Sequence, residues 1–331
     1  MPIFPTQYSL LAAYAIGQHI EQFYDLKQLT CRLLIHNVSD TYLIEGVTEK
    51  YIFKIYRDAH RSLTEIQAEA ELLIRLADAG AQVSYPIADI HGGYIQYFNA
   101  AEGMRHGLLF SYARGEVVMP LNNQHLKLLG RAVAEVHNLT AGMELSGNSR
   151  VFDVEHILLK PLARIKPAFV GLESEYRYLE AQVNSVAAKM VALDTKGWGY
   201  GYCHYDLLPK NFHFEGVERI TLFDFDFAGK GFFVNDLASF YVHYFMDVYL
   251  KRATQEQADI DFAVFVESYR NLRTVSDAEL QAIPYFGFAF WIFYLGFQYD
   301  NFEDWSNSFF GPRFLKDRVG LIRQWVDWYV R

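Results

Sequence analysis

Apolar and polar residues alternate along two stretches in the first third of the chain. These stretches cover residues 41–45 and 51–57, and the more polar run 46–50 lies between them. Alternation with a period of two residues is typical of strands that have one buried side, so two strands joined by a turn are predicted. The other elements predicted in this region are a helix over 8–24 and strands over 83–88, 93–98 and 107–112.

A helix is predicted to begin after Ser62. Ser62 and Glu65 have the spacing of a capping box, in which each side chain bonds the backbone N–H of the other residue. Apolar residues at helical spacing follow, and Gly80 marks the end of the pattern.

Glu69 lies on the apolar side of this predicted helix. A carboxylate in that position needs a partner, and Lys54, inside the apolar strand 51–57, is the candidate. The alternatives are that Lys54 is an edge charge of its strand and that Glu69 is an exposed helix charge. Glu65 and Glu71 fit the pairing less well, because the capping box explains Glu65 and Glu71 lies off the apolar stripe.

The remaining two-thirds of the chain has helical periodicity. Helices are predicted over 121–140, 172–193, 235–250, 255–271 and 277–297. A β-rich first part and an α-rich second part indicate an α+β protein of two lobes. We expect an N-lobe over 1–113 and a C-lobe over 114–331, with a ligand site in the crevice between them.

Composition narrows the class of protein. Of 331 residues 51% are hydrophobic, which excludes a disordered or fibrous chain. The formal net charge of −9 argues against a nucleic-acid partner, because nucleic-acid binding requires a basic face. The same charge is compatible with a cationic small molecule as ligand. The two cysteines, Cys31 and Cys203, indicate neither a disulfide framework nor a zinc site, so a reducing, cytoplasmic setting is expected.

Two segments bear on membrane association, and neither predicts a membrane protein. The first ten residues lack the basic and apolar regions of a signal peptide. Residues 282–299 carry no charge, but they include Pro284, Gly287 and three tyrosines, so a buried core helix is predicted rather than a membrane span.

The stretch 201–238 carries the candidate chemistry. Residues 211–214 and 220–224 are two short strand-like runs with a turn between them, which predicts a hairpin. Pairing Phe214 with Ile220 puts Asn211 opposite Phe223, whereas pairing Phe214 with Thr221 puts Asn211 opposite Asp224. Either register brings Asn211 and Asp224 to the same end of the hairpin, and only the second puts them on one face.

Asp206 lies in the loop before this hairpin, so three oxygen-bearing side chains can converge. Amide and carboxylate oxygens suit Mg²⁺, and a further carboxylate can accept a proton from a hydroxyl group. These are the parts of a phosphoryl-transfer site. The alternatives are ordinary turn residues and a nucleophilic triad of Cys203, His204 and Asp206, which is disfavoured because sequence neighbours seldom face one another as a triad requires.

This stretch resembles the aminoglycoside phosphotransferase superfamily, which includes choline kinases, homoserine kinases and a bacterial stress-response kinase. The resemblance rests on His204-Tyr-Asp-Leu-Leu-Pro-Lys-Asn211, on the Asp-Phe-Asp run that begins at Asp224 with its two following glycines, and on Asp236-Leu-Ala. It implies a bilobal protein-kinase-like fold with ATP and Mg²⁺ as cofactors.

The resemblance also implies residue roles. Asp206 is expected to be the catalytic base, Asn211 and Asp224 the Mg²⁺ ligands, and His204 and Asp236 the residues that brace the loops. The sequence departs from the family pattern at three positions: Tyr205 stands where glycine is common, Leu208 where His or Tyr is frequent, and Lys210 where a small residue is common.

The first third contains the expected nucleotide-binding residues. Lys54 and Glu69 are expected to steady the nucleotide, as the resemblance also implies. The polar run 37–42 has no glycine-rich motif but precedes the strand of Lys54, so Ser39 and Asp40 are expected to line a phosphate-covering loop. Residues 110–115 resemble the connection between the lobes.

The acceptor site is expected in the α-rich part. Asp300, Glu303 and Asp304 lie among aromatic residues and could hold an ammonium group, although a solvated helix end is the alternative. The predicted function is transfer of the ATP γ-phosphate to a hydroxyl of an amino sugar, amino alcohol or hydroxy amino acid. The rivals are a protein Ser/Thr kinase of the stress-response type and a nucleotide-binding pseudokinase.

The four phenylalanines at helical spacing are expected to be core residues: Phe286, Phe290, Phe293 and Phe297.

Overall fold

The computed structural model describes residues 4–57, 60–301 and 310–330. These residues form two compact units. The first unit contains the described residues up to Ala113 together with Leu145–Asn148, and the second contains Arg114–Glu144 and the described residues from Ser149 onwards.

The first unit is built on a five-stranded antiparallel sheet with the order β1-β2-β3-β5-β4. Two of its strands, β2 and β3, match the stretches predicted from alternation to within two residues, and β4 and β5 differ from the predicted bounds by a few residues. The strands are β1 (Thr30–His36), β2 (Ser39–Glu45), β3 (Lys50–Tyr56), β4 (Ile95–Ala100) and β5 (Gly103–Ser111).

Two strand predictions failed for identifiable reasons. The strand predicted over 83–88 was wrong, because Pro86 has no N–H to donate and makes only an isolated bridge with Phe110. Strand β1 was missed, because it lies at the edge of the sheet and most of its residues are exposed, which leaves no apolar alternation to detect.

Two helices belong to the first unit. Helix α1 (Ala13–Phe23) buries Ile16 and Ile20 in a core cluster that includes Tyr42, Phe53 and Leu109 of the sheet. Helix α2 (Leu63–Asp78) begins with the predicted capping box, since the Ser62 and Glu65 side chains each bond the backbone of the other residue.

The second unit is mainly helical, and the five predicted helices are confirmed. It contains α3 (Asn123–Thr140), α4 (Lys160–Ile165), α5 (Glu173–Val191), α6 (Val234–Tyr249), α7 (Gln255–Arg270), α8 (Asp277–Asp300) and α9 (Pro312–Trp325). The sequence patterns did not predict α4 or α9.

Helix α8 is the long apolar stretch recognised in the sequence. By length and composition it could cross a membrane, but 67% of its most apolar window is buried inside the protein, as in a core helix. Pro284 is accommodated inside it, and its carbonyl accepts a hydrogen bond of 2.9 Å from Trp325 Nε1. Phe286 and Phe290 are buried as expected, whereas Phe293 and Phe297 are partly exposed and pack against Phe227.

Short strands in the second unit hold the candidate catalytic segments. Strands β6 (Arg150–Val151), β10 (Gly229–Phe232) and β7 (Tyr200–Cys203) form one small sheet, in that order. Strands β8 (Phe212–Glu215) and β9 (Arg219–Leu222) form the predicted hairpin. The loop after β7 and the turn after β9 carry the polar residues on which the prediction rests.

Candidate active site

The hairpin adopts the first of the two registers left open by the sequence. Phe214 pairs with Ile220, and the Phe223 N–H donates to the Asn211 carbonyl at 2.9 Å. Asn211 is therefore opposite Phe223, and Asp224 follows one residue later. Asp224 has a left-handed backbone with φ of 62°, which turns the chain at the end of the hairpin and ends the strand geometry.

Asp206 is buried, with 1% of its surface exposed, and its two carboxylate oxygens differ. Oδ2 accepts a hydrogen bond of 2.8 Å from Asn211 Nδ2 and lies 3.0 Å from the Lys210 ammonium group. Oδ1 is buried and has no hydrogen-bond partner within the described ranges. A carboxylate held by one oxygen with the other oxygen available is suited to accept a proton from a bound hydroxyl group.

Asn211 is oriented by the same contacts. Its Nδ2 donates to the backbone carbonyl of Asp206 at 2.9 Å and to Oδ2 at 2.8 Å. Because both N–H groups point at Asp206, the amide oxygen faces away from it, and this oxygen is an acceptor of the kind that Mg²⁺ prefers. The donor set of Asn211 and Asp224 fits Mg²⁺, an ion that usually completes its shell with phosphate oxygens and water.

Lys210 was recognised in the sequence only as a departure from the family pattern. Its half-exposed ammonium group contacts Asp206 and lies within electrostatic reach of Asp224 and Tyr294. Burial alone would lower the pKa of Lys210, but Tyr294, Asp206 and Asp224 outweigh that effect and raise it, so the side chain stays positively charged. The same surroundings, chiefly burial, raise the pKa of Tyr294 to about 12.

Asp236 holds the loop of Asp206 from the first turn of α6. Its carboxylate accepts backbone N–H groups of His204 at 2.8 Å and Tyr205 at 2.7 Å, and it also accepts Nε2–H of His137 at 2.9 Å. The Tyr269 hydroxyl donates to the other ring nitrogen of His137 at 2.8 Å. Burial would raise the pKa of Asp236, but its hydrogen bonds from the His137 side chain and the His204 backbone help to lower it. Sequence reasoning missed His137.

His204 connects the loop to the hairpin. Its Nε2–H donates to the Phe223 carbonyl at 2.9 Å, and its Nδ1 accepts the Asp206 N–H at 3.3 Å. The side chain therefore ties the residue beside Asp224 to the backbone of Asp206. This contact depends on a neutral imidazole with the proton on Nε2.

Tyr205 has a backbone conformation that favours glycine. Its φ is 64°, in the left-handed region. The ring is buried and stacks on Phe152 with a centroid distance of 3.9 Å and an interplanar angle of 12°. Tyrosine at this position therefore strains the backbone, which glycine would not, and gains aromatic packing.

Lys54 and Glu69 are both buried in the first unit, at 7% and 4% exposure. The alternatives for them are wrong, because β3 is an inner strand of its sheet and Glu69 is not an exposed helix charge. Lys54 Nζ lies 5.3 Å from the centroid of the Tyr56 ring. Arg61, which sequence reasoning did not consider, forms an ion pair of 3.2 Å with Glu69. The Lys54–Glu69 pairing itself stays a prediction.

Ser39 and Asp40 differ from the expected loop. Both are buried and begin β2, so the turn consists of the two residues before them. Asp40 accepts hydrogen bonds from Arg105 at 3.1 Å and Tyr8, and its carboxylate lies 2.8 Å from His36 Nδ1. The Asp40 carboxylate is thus engaged inside the sheet, which corrects the expectation that it lines a phosphate loop.

The acidic residues expected near the acceptor have a different arrangement. Asp300 forms an ion pair of 2.8 Å with Arg164, and burial raises its pKa, with Arg164 opposing that effect. Glu303 and Asp304 lie outside the described residues. Among the described residues at this end of α8, the Asp300 carboxylate is therefore already paired with Arg164.

The chain is similar in sequence to known phosphotransferases. The model of the phosphotransferase enzyme family matches residues 30–270. A homoserine kinase of Rhizobium etli is 25% identical over 74% of this chain and 72% of its own length.

Solved structures show the same fold. An amicoumacin kinase in complex with AMP-PNP and Ca²⁺ gives a TM-score of 0.76 at 19% identity over 94% of each chain. A microcompartment-associated aminopropanol kinase gives a TM-score of 0.73 at 21% identity over 94% of this chain and 95% of its own. The α+β, protein-kinase-like fold expected from the sequence is confirmed.

Proposed function

Because this chain belongs to the phosphotransferase enzyme family, we propose that it transfers the γ-phosphate of ATP to a hydroxyl group of a small molecule. The observation that carries this proposal is the state of Asp206, with one oxygen held by Asn211 and Lys210 and the other buried without a partner in the described part of the chain. We assign the reaction to the cytoplasm, in keeping with the two cysteines, both of which are free thiols.

Asp206 acts as the base in this proposal. Oδ1 accepts the proton of the acceptor hydroxyl, the hydroxyl oxygen forms a bond to the γ-phosphorus, and the bond from that phosphorus to the oxygen that remains on ADP breaks. Asn211 keeps the Asp206 carboxylate from rotating, because it is tied both to the backbone carbonyl and to Oδ2. Positioning of this kind supplies much of the catalysis in phosphoryl transfer.

Asn211 and Asp224 would hold Mg²⁺, which supplies charge neutralisation to the phosphate oxygens when bound. Lys210 provides a positive charge on the same side as Asp206 and Asp224, suited to the γ-phosphate. His204 and Asp236 keep the loop and the hairpin in register through backbone contacts.

The first unit is assigned the nucleotide. Lys54 is the proposed phosphate cation, Glu69 its proposed partner, itself paired with Arg61, and Ser39 a polar residue at the start of β2. We leave Asp40 out of this set, because Arg105 and His36 already engage its carboxylate.

The test is Mg²⁺-dependent formation of ADP with a panel of acceptors. The panel contains amino alcohols, hydroxy amino acids, aminoglycosides and a generic protein. Asp206→Asn is expected to lower kcat by about 10²- to 10⁴-fold while leaving AMP-PNP binding intact, because the variant keeps the shape of the side chain and loses the base. Asp78→Asn, at the exposed end of α2, is the control and is expected to match the wild type.

Each contrary outcome identifies a rival. Phosphorylation of the generic protein in the panel, without turnover of any small molecule, would favour a protein kinase. Binding of AMP-PNP without turnover of any acceptor would favour a pseudokinase. Equal turnover by the wild type and Asp206→Asn would remove Asp206 from the role of base.

A further inference from the structure

Among the described residues, Arg318 is a cation without a counter-ion. It belongs to α9, and its guanidinium carbon lies 5.2 Å from the ring centroid of Trp291 and 5.2 Å from that of Phe314. Within residues 4–57, 60–301 and 310–330, Arg318 forms no ion pair, and its buried Nε donates no hydrogen bond. An arginine that is neither solvated on all sides nor paired is uncommon inside a protein.

Trp291 presents a second donor at the same place. Its side chain is 5% exposed, and its Nε1–H is buried without an acceptor in the described part of the chain. Guanidinium and indole nitrogens are donors only, so Arg318 and Trp291 cannot satisfy each other. Two neighbouring buried donors without acceptors indicate a ligand that supplies oxygen atoms and negative charge.

Tyr294 links this pair of donors to the catalytic segment. Trp291 and Tyr294 are three residues apart on α8, so their side chains are neighbours on the helix surface. The Tyr294 ring lies 5.7 Å from that of Phe227, three residues after Asp224, and Tyr294 is within electrostatic reach of Asp206 and Lys210.

Arg318 lies within electrostatic reach of Tyr294. Burial lowers the pKa of Arg318, and Tyr294 partly offsets that effect. An anion bound at Arg318 would offset the cost of burying this charge further. Tyr294 is thus within electrostatic reach of both Asp206 and Arg318.

We propose that Arg318 and Trp291 form a subsite for a carboxylate of the acceptor, so that the acceptor is a small hydroxy acid such as a hydroxy amino acid. The planar guanidinium matches the two oxygens of a carboxylate, and the indole N–H adds a third bond from the side. This inference rests on the proposed function and narrows its substrate class. The proposed contact with the acceptor differs from the one expected from the sequence, in which Asp300 holds an ammonium group. The Asp300 carboxylate is instead paired with Arg164.

The test uses acceptor pairs that differ only in the carboxylate. The pairs are serine with ethanolamine, homoserine with 3-aminopropan-1-ol, and threonine with 1-aminopropan-2-ol. Turnover is measured as kcat and KM for each compound. Binding of each compound to the protein with Mg²⁺ and AMP-PNP is measured in parallel by calorimetry, which does not depend on turnover. At least one acid is expected to bind and to exceed its amine partner in kcat/KM by about tenfold or more.

Variants identify the residues responsible. Arg318→Gln is expected to raise the KM or Kd of the acid by about tenfold or more, with the KM for ATP and the values for the amino alcohol unchanged. Arg318→Lys should recover part of the loss, because it keeps the charge but not the planar fork. Trp291→Phe keeps the ring and removes only the donor, so a smaller rise is expected. Arg313→Gln, exposed on the same helix, is the control.

Three results would overturn the proposal. They are preference for the amino alcohol in every pair, an unchanged affinity of Arg318→Gln for the acid, and the absence of binding of all three acids to the wild type. Failure of the protein to bind AMP-PNP at all would count against the proposed function instead, so the two failures are distinguishable.

Discussion

Lys210 places a positive charge directly on the carboxylate that the proposed reaction uses as its base. Its ammonium group lies 3.0 Å from Asp206 Oδ2, the oxygen that does not face the acceptor in our proposal. At this position Lys210 neutralises part of the negative charge of Asp206 and Asp224. A nucleotide γ-phosphate would otherwise approach two carboxylates, so this cation is expected to favour ATP over ADP.

The first prediction concerns Lys210→Met. The variant is expected to bind Mg²⁺–AMP-PNP about tenfold more weakly, with the affinity for Mg²⁺–ADP changed by less than about twofold, because only the γ-phosphate loses a charged contact. Calorimetry with both nucleotides measures the difference. Lys196→Met, in an exposed loop, serves as the control. An equal loss for the two nucleotides would place Lys210 outside the γ-phosphate contact.

The second prediction concerns Tyr205. Tyr205→Phe keeps the stack on Phe152 and removes a buried hydroxyl that has no partner among the described residues, so stability is expected to change by less than about 1 kcal/mol. Tyr205→Gly relieves the positive φ but deletes the ring, so a net loss of about 2 kcal/mol or more is expected. Urea unfolding measures both, and a more stable Tyr205→Gly would show that backbone strain dominates.

At the scale of elements, close approach of helices shapes the second unit. Gly130 of α3 lies against the backbone of α7, and a Cβ there would meet the Phe265 carbonyl oxygen at 2.4 Å. Both helices contribute to the site, since α3 carries His137 and α7 carries Tyr269, which is hydrogen-bonded to it. A change in the distance between α3 and α7 would therefore alter the hydrogen bond between Tyr269 and His137, the residue that holds Asp236.

The third prediction compares two glycines in helices. Gly130→Ala is expected to destabilise the protein by about 1–3 kcal/mol, because a backbone atom must move to admit the methyl group. Gly320→Ala, in α9 with nothing near the added carbon, is expected to stabilise it by about 0.5–1 kcal/mol through helix propensity. Urea unfolding of both variants distinguishes crowding from propensity. Stabilisation by Gly130→Ala would contradict the close packing of α3 and α7.

At the scale of the whole molecule, buried histidines connect stability with pH. Burial lowers the pKa of His137, despite its bond to Asp236, and lowers the pKa of His243 to about 4. Both side chains are therefore neutral in the folded protein near pH 7. An unfolded histidine has a pKa of about 6.5, so the unfolded state takes up protons before the folded state does as the pH falls.

The fourth prediction is a loss of stability on mild acidification. Above a pH of about 6.5 these histidines do not make the free energy of unfolding depend on pH. Between pH of about 6.5 and 4, His243 alone is expected to lower the free energy of unfolding by about 1 kcal/mol for each unit by which the pH falls. The midpoint of urea unfolding at pH 7.5, 6 and 5 measures this trend. His243→Gln should reduce the slope, and replacement of the half-exposed His156 by Gln should change it less. A stability that rises on acidification would contradict the sign.

Local signals in the sequence sufficed for most elements and indicated a candidate site. Ser62 and Glu65 predicted the start of α2, and the run from Asn211 to Asp224 predicted a hairpin, because each depends on residues close together in the chain. The same run, with Asp206, indicated phosphoryl transfer. The failures at β1 and Pro86 arose where burial and pairing, rather than the local pattern, decide.

Only the tertiary structure decided the contacts that join distant parts of the chain. It selected the register that pairs Phe214 with Ile220, and it brought His137 to Asp236 across 99 residues. It also directed Asp40 to Arg105 and placed Arg318 over Trp291. The physical reason is that a side chain's partner depends on which elements pack together and at what distance, whereas sequence periodicity specifies only which side of each element is buried.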